Sequence, residues 1–234
     1  MRDLSAFPIT QKWPATRPHD IQLYSLATPN GVKVSILLEE TGLAYEPHLV
    51  DFNSNDQMSP EFLSLNPNNK IPAILDPDGP NGTPIALFES AAILLYLAEK
   101  TGKFLPLDPL ERYQTIQWLL FQVGGIGPTF GQLGFFYKFA GKDYEDKRPR
   151  DRFVSESTRL LGVLNKHLEN REWMMGDVYT IADIAIFPWI RNLIEGYQAG
   201  DLVGIKSFSN VLRVLASFNA RPAVKRGLEI PRRR

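Results

Sequence analysis

The sequence predicts an α/β domain followed by an all-α domain of the helical-bundle type. Strand and helix patterns alternate up to about residue 102, in the order strand, helix, strand and then strand, strand, helix. Beyond residue 108 the strand signals nearly vanish, and long segments of helical periodicity replace them. At 234 residues the chain is long enough to bury two cores. We therefore expect residues 103–108 to link two domains.

The first predicted domain begins with a strand–helix–strand unit. Ile21–Leu26 alternates in polarity, as a half-buried strand does. A helix follows with Thr28 as its N-cap, Pro29 as its first residue and Gly42 as its stop. Tyr45–Phe52 is the next strand. A crossover through the helix predicts that the two strands run parallel.

Two short strands and a helix complete this domain, which we assign to residues 21–102. The strands are Pro72–Leu75 and Ile85–Phe88, and a turn-rich segment separates them. The helix begins at Ser90. The order β-α-β followed by β-β-α is typical of thioredoxin-like domains.

Two segments of this domain predict a ligand-binding cleft. Pro72 lacks the N–H that a central strand needs, so Ile71-Pro72 predicts a bend, in the cis or the trans form, that presents the Ile71 backbone to a ligand. Glu89-Ser90 places a carboxylate and a hydroxyl at a helix start, where backbone N–H groups favour an anion. Together they favour a small zwitterionic peptide. The alternative is that Ser90 only caps the helix and Glu89 only complements its dipole.

The predicted helical domain covers residues 109–228. Leucines at helical spacing line one face of a helix from about Arg150 to Glu169. Thr180-Ile181-Ala182-Asp183 has the form of a capping box with aspartate in place of glutamate. This motif predicts the start of a buried helix.

The sequence predicts irregular structure at both termini. Residues 1–20 contain three prolines and no repeating apolar period, which predicts an extended arm. Phe7 and Trp13 are its candidate anchors, and the alternative is a mobile arm. Residues 229–234 end in three arginines and predict a solvated basic tail.

Composition excludes several classes of function. Basic and acidic residues balance at 26 each, so we expect no nucleic-acid partner. The sequence has neither an apolar leader nor a run long enough to span a membrane, so we expect a cytoplasmic protein without membrane contact. With no cysteine, it has no disulfide, thiolate metal site or protein thiol nucleophile. Its three histidines lack metal-ligand spacing, so we expect no metal.

The sequence resembles the glutathione transferase superfamily over residues 21–228, most closely the bacterial Nu class and its fungal Ure2p-like relatives. The segments that carry the resemblance are Thr28-Pro29-Asn30-Gly31, Asn69-Lys70-Ile71-Pro72-Ala73-Ile74, Leu87-Phe88-Glu89-Ser90-Ala91-Ala92-Ile93-Leu94, Gln117-Trp118, Gln122-Val123-Gly124-Gly125 and Ile181-Ala182-Asp183-Ile184-Ala185. The resemblance implies that the thioredoxin-like domain binds glutathione as a co-substrate.

The resemblance implies Thr28 and Asn30 as the pair that donates hydrogen bonds to the glutathione sulfur. Such donors are needed because glutathione reacts as a thiolate, and its free thiol has a pKa above neutrality. The hydroxyl, the amide and the backbone N–H groups are all candidate donors. Ser25 is the reserve candidate. The alternative is that Thr28 only caps its helix and Asn30 only forms a turn.

The same resemblance implies contacts along the tripeptide. Glu89 pairs with the α-ammonium group and Ser90 holds the α-carboxylate. The Ile71 backbone, before Pro72, pairs with the cysteinyl residue in a strand-like manner. Gln57 and Lys70 lie where related proteins contact the glycyl end, although each equally fits a solvent-facing residue.

Two further expectations concern the helical domain. By resemblance, Arg152 extends from one subunit to the ligand of its partner, which implies a homodimer; the alternative is an ordinary surface arginine. Aromatic residues after the glycine-rich run are candidates for a wall beside the second substrate, and core packing is an equal alternative. They are Phe130, Phe135, Phe136 and Tyr137.

The leading functional hypothesis is a glutathione-dependent thiol-disulfide oxidoreductase, that is, a disulfide-bond reductase. The resemblance implies two glutathione molecules or one glutathione disulfide in the site, and weak conjugating activity. One alternative is a conventional glutathione S-transferase that conjugates electrophiles. Another is a non-catalytic glutathione-binding regulator or scaffold.

Overall fold

The computed structural model describes residues 4–232. Contacts divide the chain into two compact units. The first consists of the residues up to Thr101 together with those from Pro222 onward, and the second is Gly102–Arg221. The sequence placed residues 222–228 in the helical domain, and this assignment is corrected by the structure.

The last helix belongs to the first unit because it packs closely there. Helix α10, Pro222–Gly227, lies against helix α2, Pro29–Thr41. The Ser35 hydroxyl donates to the Gly227 carbonyl oxygen at 2.6 Å. A Cβ at Gly227 would lie 2.7 Å from the Ile36 backbone nitrogen, so only glycine permits this approach. No local sequence pattern reports such a contact.

The first unit has the predicted thioredoxin-like topology. In the described residues its strands form one sheet in the order β2-β1-β3-β4, with β1 and β2 parallel and the other neighbours antiparallel. This confirms the predicted β-α-β and β-β-α units. The strands are β1 Ile21–Ser25, β2 Tyr45–Leu49, β3 Ala73–Asp76 and β4 Ile85–Phe88, and the remaining helices are α1 Ile9–Lys12, α3 Pro60–Leu63 and α4 Ser90–Thr101.

Part of the segment before β1 is helical. Residues 4–12 contain a 3-10 turn, Leu4–Ala6, and the short helix α1, so the predicted extended arm is wrong there, whereas residues 13–20 contain no helix. A helix of four residues is too short to show an apolar period. Hydrogen bonds to distant residues hold the segment, among them those from the Thr16 and Arg17 N–H groups to the Glu46 carboxylate at 3.1 Å and 2.7 Å. Phe7 and Trp13 do pack against the hydrophobic core, as expected, and the Trp13 indole N–H donates to the Leu49 carbonyl oxygen at 3.0 Å.

At the other terminus, the Arg232 guanidinium approaches the Glu229 carboxylate at 3.4 Å. The last two arginines of the predicted basic tail, residues 233 and 234, lie outside the described residues.

The second unit is helical. Two of its helices continue into π-helical turns, Gln122–Ile126 and Asn192–Gly196. Within residues 4–232, no helix combines the length and apolar character that crossing a membrane requires. The helices are α5 Pro109–Phe121, α6 Gly127–Tyr137, α7 Arg148–His167, α8 Ile181–Arg191 and α9 Ser209–Ala220.

The predicted capping box begins α8. The Thr180 hydroxyl oxygen accepts a hydrogen bond from the Ala182 N–H at 3.3 Å. The Asp183 carboxylate accepts from the Thr180 N–H at 2.9 Å and from the Met174 N–H at 2.8 Å. Asp183 is fully buried, so its removal would leave buried donors unsatisfied.

We predict that Asp183→Ala lowers the free energy of unfolding by about 2 to 4 kcal/mol, because it removes the cap and leaves buried N–H groups without an acceptor. Urea denaturation measures this loss. Asp177→Ala is the matched control, since Asp177 is exposed and its loss should cost no more than about 0.5 kcal/mol. Equal losses in the two variants would contradict the structural role of the capping box.

Candidate active site

The turn between β1 and α2 places Thr28 at the start of a helix. Its backbone is extended, with φ −103° and ψ 167°, and its hydroxyl oxygen accepts from the Gly31 N–H at 3.2 Å. Its own N–H donates to the Leu26 carbonyl oxygen at 2.7 Å. The Thr28 N–H is therefore engaged within the protein. Capping uses only the acceptor capacity of the hydroxyl, so its proton can still be donated to a ligand.

A close approach of backbone to backbone fixes this turn. A Cβ at Gly31 would lie 1.9 Å from the Leu26 carbonyl oxygen and 2.6 Å from the Ser25 hydroxyl. Only glycine therefore allows the helix to start so near the strand end. Ser25, the reserve candidate for the sulfur, is fully buried and donates to the Leu26 carbonyl oxygen at 3.4 Å, which makes it a core residue.

Asn30 contacts a residue that the sequence analysis missed. The Lys33 ammonium group donates to the Asn30 side-chain oxygen at 2.8 Å and to the Ser90 hydroxyl at 3.3 Å. Lys33 is only 1% exposed. Burial lowers its pKa from 10.5 to about 7, and the negative charge of Glu89 opposes that change. The structure therefore brings Asn30 and Ser90 together through a buried lysine.

A signal for Lys33 was present in the sequence. Valines flank it on both sides in a helix that is apolar on more than one face, and every residue of Gly31–Leu38 is buried. A lysine in such a helix needs a polar partner. The sequence does not reveal that the partner is Ser90, which lies in another helix.

Glu89 and Ser90 occupy the junction of β4 and α4. Glu89 has φ +71°, a left-handed conformation that is unusual for a residue other than glycine and often marks a functional site. Its carbonyl oxygen accepts from the Ile93 N–H at 3.0 Å, and its side chain is exposed. Ser90 is buried beside it. The two predicted ligand residues thus present an exposed carboxylate next to a buried hydroxyl.

The predicted bend precedes β3. The Ile71-Pro72 peptide bond is cis, and within residues 4–232 neither the N–H nor the C=O of Ile71 has a backbone partner. Asn66, which the sequence analysis did not select, braces the turn by donating to the Lys70 carbonyl oxygen at 2.5 Å. Its position before a proline was the available signal.

The two residues proposed for the glycyl end differ in exposure. The Lys70 side chain is exposed. Gln57 lies in the 3-10 turn Asp56–Met58 and is half-buried, and its side-chain oxygen has no hydrogen-bond partner among the described residues. The oxygen atom itself is shielded from solvent, so it is a buried acceptor without a donor among the described residues.

The aromatic residues proposed as a wall do not all reach the surface. Phe130 is fully buried in the core of the helical unit, so its assignment to the wall is corrected. Phe135, Phe136 and Tyr137 keep exposed or half-exposed edges. Phe136 stacks on Phe153 with ring centroids 5.8 Å apart. The helical period places Phe130 inward, a direction that the residue type alone does not reveal.

Arg152 lies exposed on α7. The neighbouring Asp151 carboxylate pairs with Arg150 at 2.6 Å. Across the described part of the chain, no group of three or more histidine, aspartate or glutamate side chains has an arrangement that holds a metal ion.

Comparison with known proteins identifies the family of both halves. Residues 19–99 match the family described as Glutathione S-transferase, N-terminal domain, and residues 133–229 match Glutathione S-transferase, C-terminal domain. Disulfide-bond oxidoreductase YghU of Escherichia coli is 43% identical over 228 residues, covering 94% of this chain and 78% of the relative. Disulfide-bond oxidoreductase YfcG of Escherichia coli is 50% identical over 174 residues, covering 73% and 79%.

Solved structures agree closely with the fold. A glutathione transferase from Burkholderia graminis, with two glutathione molecules bound per subunit, has a TM-score of 0.99 at 70% identity and covers 100% of this chain and 98% of its own. A glutathione transferase from Pseudomonas putida, with one glutathione disulfide bound per subunit, has a TM-score of 0.97 at 68% identity and covers 98% and 99%. The resemblance noted in the sequence is confirmed, and the chain belongs to the glutathione S-transferase family of enzymes.

Proposed function

We propose that this protein is a glutathione-dependent disulfide-bond oxidoreductase. The observation that carries the proposal is the buried contact of Lys33 with both Asn30 and Ser90, beside the exposed carboxylate of Glu89. These groups suit a tripeptide that carries a thiol, an ammonium and carboxylates. Two relatives named as disulfide-bond oxidoreductases, and a homologue with glutathione disulfide bound, support this choice over other reactions of the family.

Each part of glutathione has a candidate partner in the first unit. Glu89 pairs with the α-ammonium group, and the Ser90 hydroxyl donates to the α-carboxylate. The N–H and C=O of Ile71 pair with the cysteinyl residue as an added strand does, because neither has a backbone partner within the described residues. Lys70 pairs with the glycyl carboxylate, and Gln57 contacts the peptide backbone beside it.

The protein supplies hydrogen-bond donors to a sulfur that it does not itself contain. Because the sequence has no cysteine, glutathione brings the nucleophile. The Thr28 hydroxyl and the Asn30 amide donate to that sulfur. They favour the thiolate over the thiol, since a hydrogen bond to the charged form lowers the pKa of the bound group.

The reaction proceeds as two thiol-disulfide exchanges. The bound glutathione thiolate attacks one sulfur of the substrate disulfide, the S–S bond breaks, and the other substrate sulfur leaves as a thiolate that takes up a proton. A second glutathione thiolate then attacks the glutathione sulfur of the mixed disulfide. This step releases the second substrate thiol and forms glutathione disulfide. Two glutathione molecules are oxidised and one disulfide is reduced to two thiols.

We also propose a homodimer in which Arg152 reaches the glutathione of the partner subunit. Apolar side chains at and just before the start of α5 support an interface there: Leu107, Leu110 and Tyr113 are 85%, 68% and 71% exposed. Phe135, Phe136 and Tyr137 are the candidate contacts for the second substrate. The cytoplasm is the proposed compartment because glutathione is kept reduced there.

We predict faster turnover with a small disulfide, such as hydroxyethyl disulfide, than with a nitroaryl chloride. The reason is that the site holds a thiolate for in-line attack on sulfur, and disulfide exchange needs no further activation of an electrophile. Steady-state rates at a fixed glutathione concentration measure both. A strong preference for the nitroaryl chloride would instead support a conjugating transferase. Glutathione binding without turnover of either substrate would support a regulator.

We predict that Thr28→Ala lowers kcat about tenfold or more, because a hydrogen bond to a charged group contributes about 1.5 to 3 kcal/mol. Thr28→Ser keeps both the cap and the donor and should retain most activity. Thr28→Asp keeps the capping acceptor but has no proton to donate, so it should be as slow as Thr28→Ala.

In the same assay Glu89→Ala should chiefly raise KM for glutathione, because its proposed ion pair forms before the chemical step. If Thr28→Asp were as active as the parent enzyme, Thr28 would be a cap and nothing more. If Thr28→Ala and Glu89→Ala both stayed within about twofold of the parent, the proposed site would be wrong, since each lost contact exceeds that margin.

A further inference from the structure

We propose that Lys33 is a positioning residue that turns the donor groups of Asn30 and Ser90 toward bound glutathione. This inference rests on the proposed function and assigns a role to a residue that the sequence analysis did not select. Lys33 acts through its two neighbours and does not itself touch the reacting sulfur.

The contacts of the ammonium group carry the inference. Lys33 Nζ lies 2.8 Å from Asn30 Oδ1 and 3.3 Å from Ser90 Oγ. Asn30 is one turn before Lys33 in α2, whereas Ser90 is the first residue of α4. One side chain therefore joins the residue proposed for the sulfur to the residue proposed for the α-carboxylate.

The chemistry of an ammonium group sets the direction of both hydrogen bonds. The protonated form of Lys33, which the Glu89 carboxylate favours, carries three donors and no acceptor, so in that form Asn30 and Ser90 both accept from it. The Asn30 amide then points its oxygen at Lys33 and its NH2 group elsewhere. The Ser90 hydroxyl likewise turns its proton away from Lys33. The contacts with Lys33 therefore use the oxygen atoms of its neighbours and none of their donors, and glutathione presents a thiolate and a carboxylate as acceptors.

The environment of Lys33 explains why this arrangement is held in place. The side chain is almost entirely buried among α2 residues that are themselves buried, so water does not compete for its three donors. The carboxylate of Glu89 acts on Lys33 electrostatically and favours its charged form. A lysine costs free energy when it is buried, and that cost is offset only if its polar contacts are kept.

Loss of Lys33 would remove the donor that the Asn30 side-chain oxygen faces. Without an ammonium group to accept from, the amide can rotate by half a turn and present its oxygen to the sulfur. An oxygen facing a thiolate is repulsive, so the bound thiol would ionise less readily. The Ser90 hydroxyl would also lose its fixed direction, and the α-carboxylate would bind less tightly.

The test compares Lys33→Met with Lys100→Met. Lys100 lies in the same unit and pairs with Asp76 at 2.7 Å, so its variant controls for the loss of a partly buried lysine away from the site. Ultraviolet absorbance of the thiolate, followed against pH, gives the apparent pKa of the bound glutathione thiol. Calorimetry with S-methylglutathione measures affinity without any thiolate contribution. Urea denaturation reports stability separately.

We expect Lys33→Met to raise the pKa of the bound thiol, to lower kcat about tenfold and to weaken S-methylglutathione binding. Lys100→Met should change none of these, whatever its effect on stability. Combining Lys33→Met with Asn30→Ala should raise the thiol pKa no further than Asn30→Ala alone, because Lys33 acts through Asn30. Combining it with Ser90→Ala should weaken S-methylglutathione binding no further than Ser90→Ala alone.

Other outcomes would overturn the inference. If the effects of Lys33→Met and Asn30→Ala on the thiol pKa were additive, Lys33 would act by its charge alone and not by orienting the amide. If the only effect of Lys33→Met were a lower free energy of unfolding, the role of Lys33 would be structural. If the parent protein failed to bind glutathione at all, the proposed function would fail, whatever the behaviour of Lys33.

A measurement on the parent protein keeps the inference testable if Lys33→Met does not fold. In heteronuclear NMR spectra recorded at a pH below the Lys33 pKa of about 7, the Lys33 ammonium protons should exchange slowly with water. The Asn30 side-chain amide signal should shift when glutathione is added. Asn30→Asp preserves an acceptor for Lys33 but has no donor, so it should fold and bind a thiol of raised pKa. Rapid exchange of the Lys33 protons, or an unchanged Asn30 amide signal, would contradict the inference.

Discussion

The proposed site depends on one close approach, the seating of the start of α2 against the end of β1. Gly31 permits it, because any side chain there would collide with the Leu26 carbonyl oxygen. The approach places Thr28 at the helix N-cap, with its backbone N–H already bonded and its hydroxyl proton available. It also carries Lys33 into the interior, where it meets Ser90. The Thr28 hydroxyl and the Lys33 ammonium group thus take up their positions in the site because Gly31 has no side chain to prevent the close approach.

The proposed chemistry depends on the absence of cysteine and on the hydrogen-bond donors that the first unit presents. Without a cysteine it contributes no sulfur, so its proposed work is to bind, orient and ionise the sulfur of a ligand. Thr28 and Asn30 are half-buried and Ser90 is buried, so water screens their donors only in part. The left-handed backbone at Glu89 and the bend at Ile71-Pro72 add fixed main-chain groups to the same unit. Main-chain groups thus define the geometry of the proposed site, while its few polar side chains provide charges and hydrogen-bond donors.

Features held by local interactions were predicted well. The Thr28 cap with Pro29 after it, the Thr180–Asp183 capping box and the strand–helix–strand unit all appear where the sequence placed them. Features that depend on distant packing were not. The arm before β1 contains helical turns instead of extended chain, and Phe130 faces the core instead of a ligand. Helix α10 belongs to the first unit although it follows the helical domain in sequence.

By itself the sequence determined the order of the elements, the helix starts and the residue types available to a thiol ligand. These follow from hydrogen bonds between residues three or four positions apart and from the period of apolar side chains. Only the tertiary structure decided that Lys33 is buried and that its ammonium group meets both Asn30 and Ser90. The physical reason is that Ser90 lies in a different helix. A buried charge finds its partner through the packing of the whole unit, which no short segment of sequence encodes.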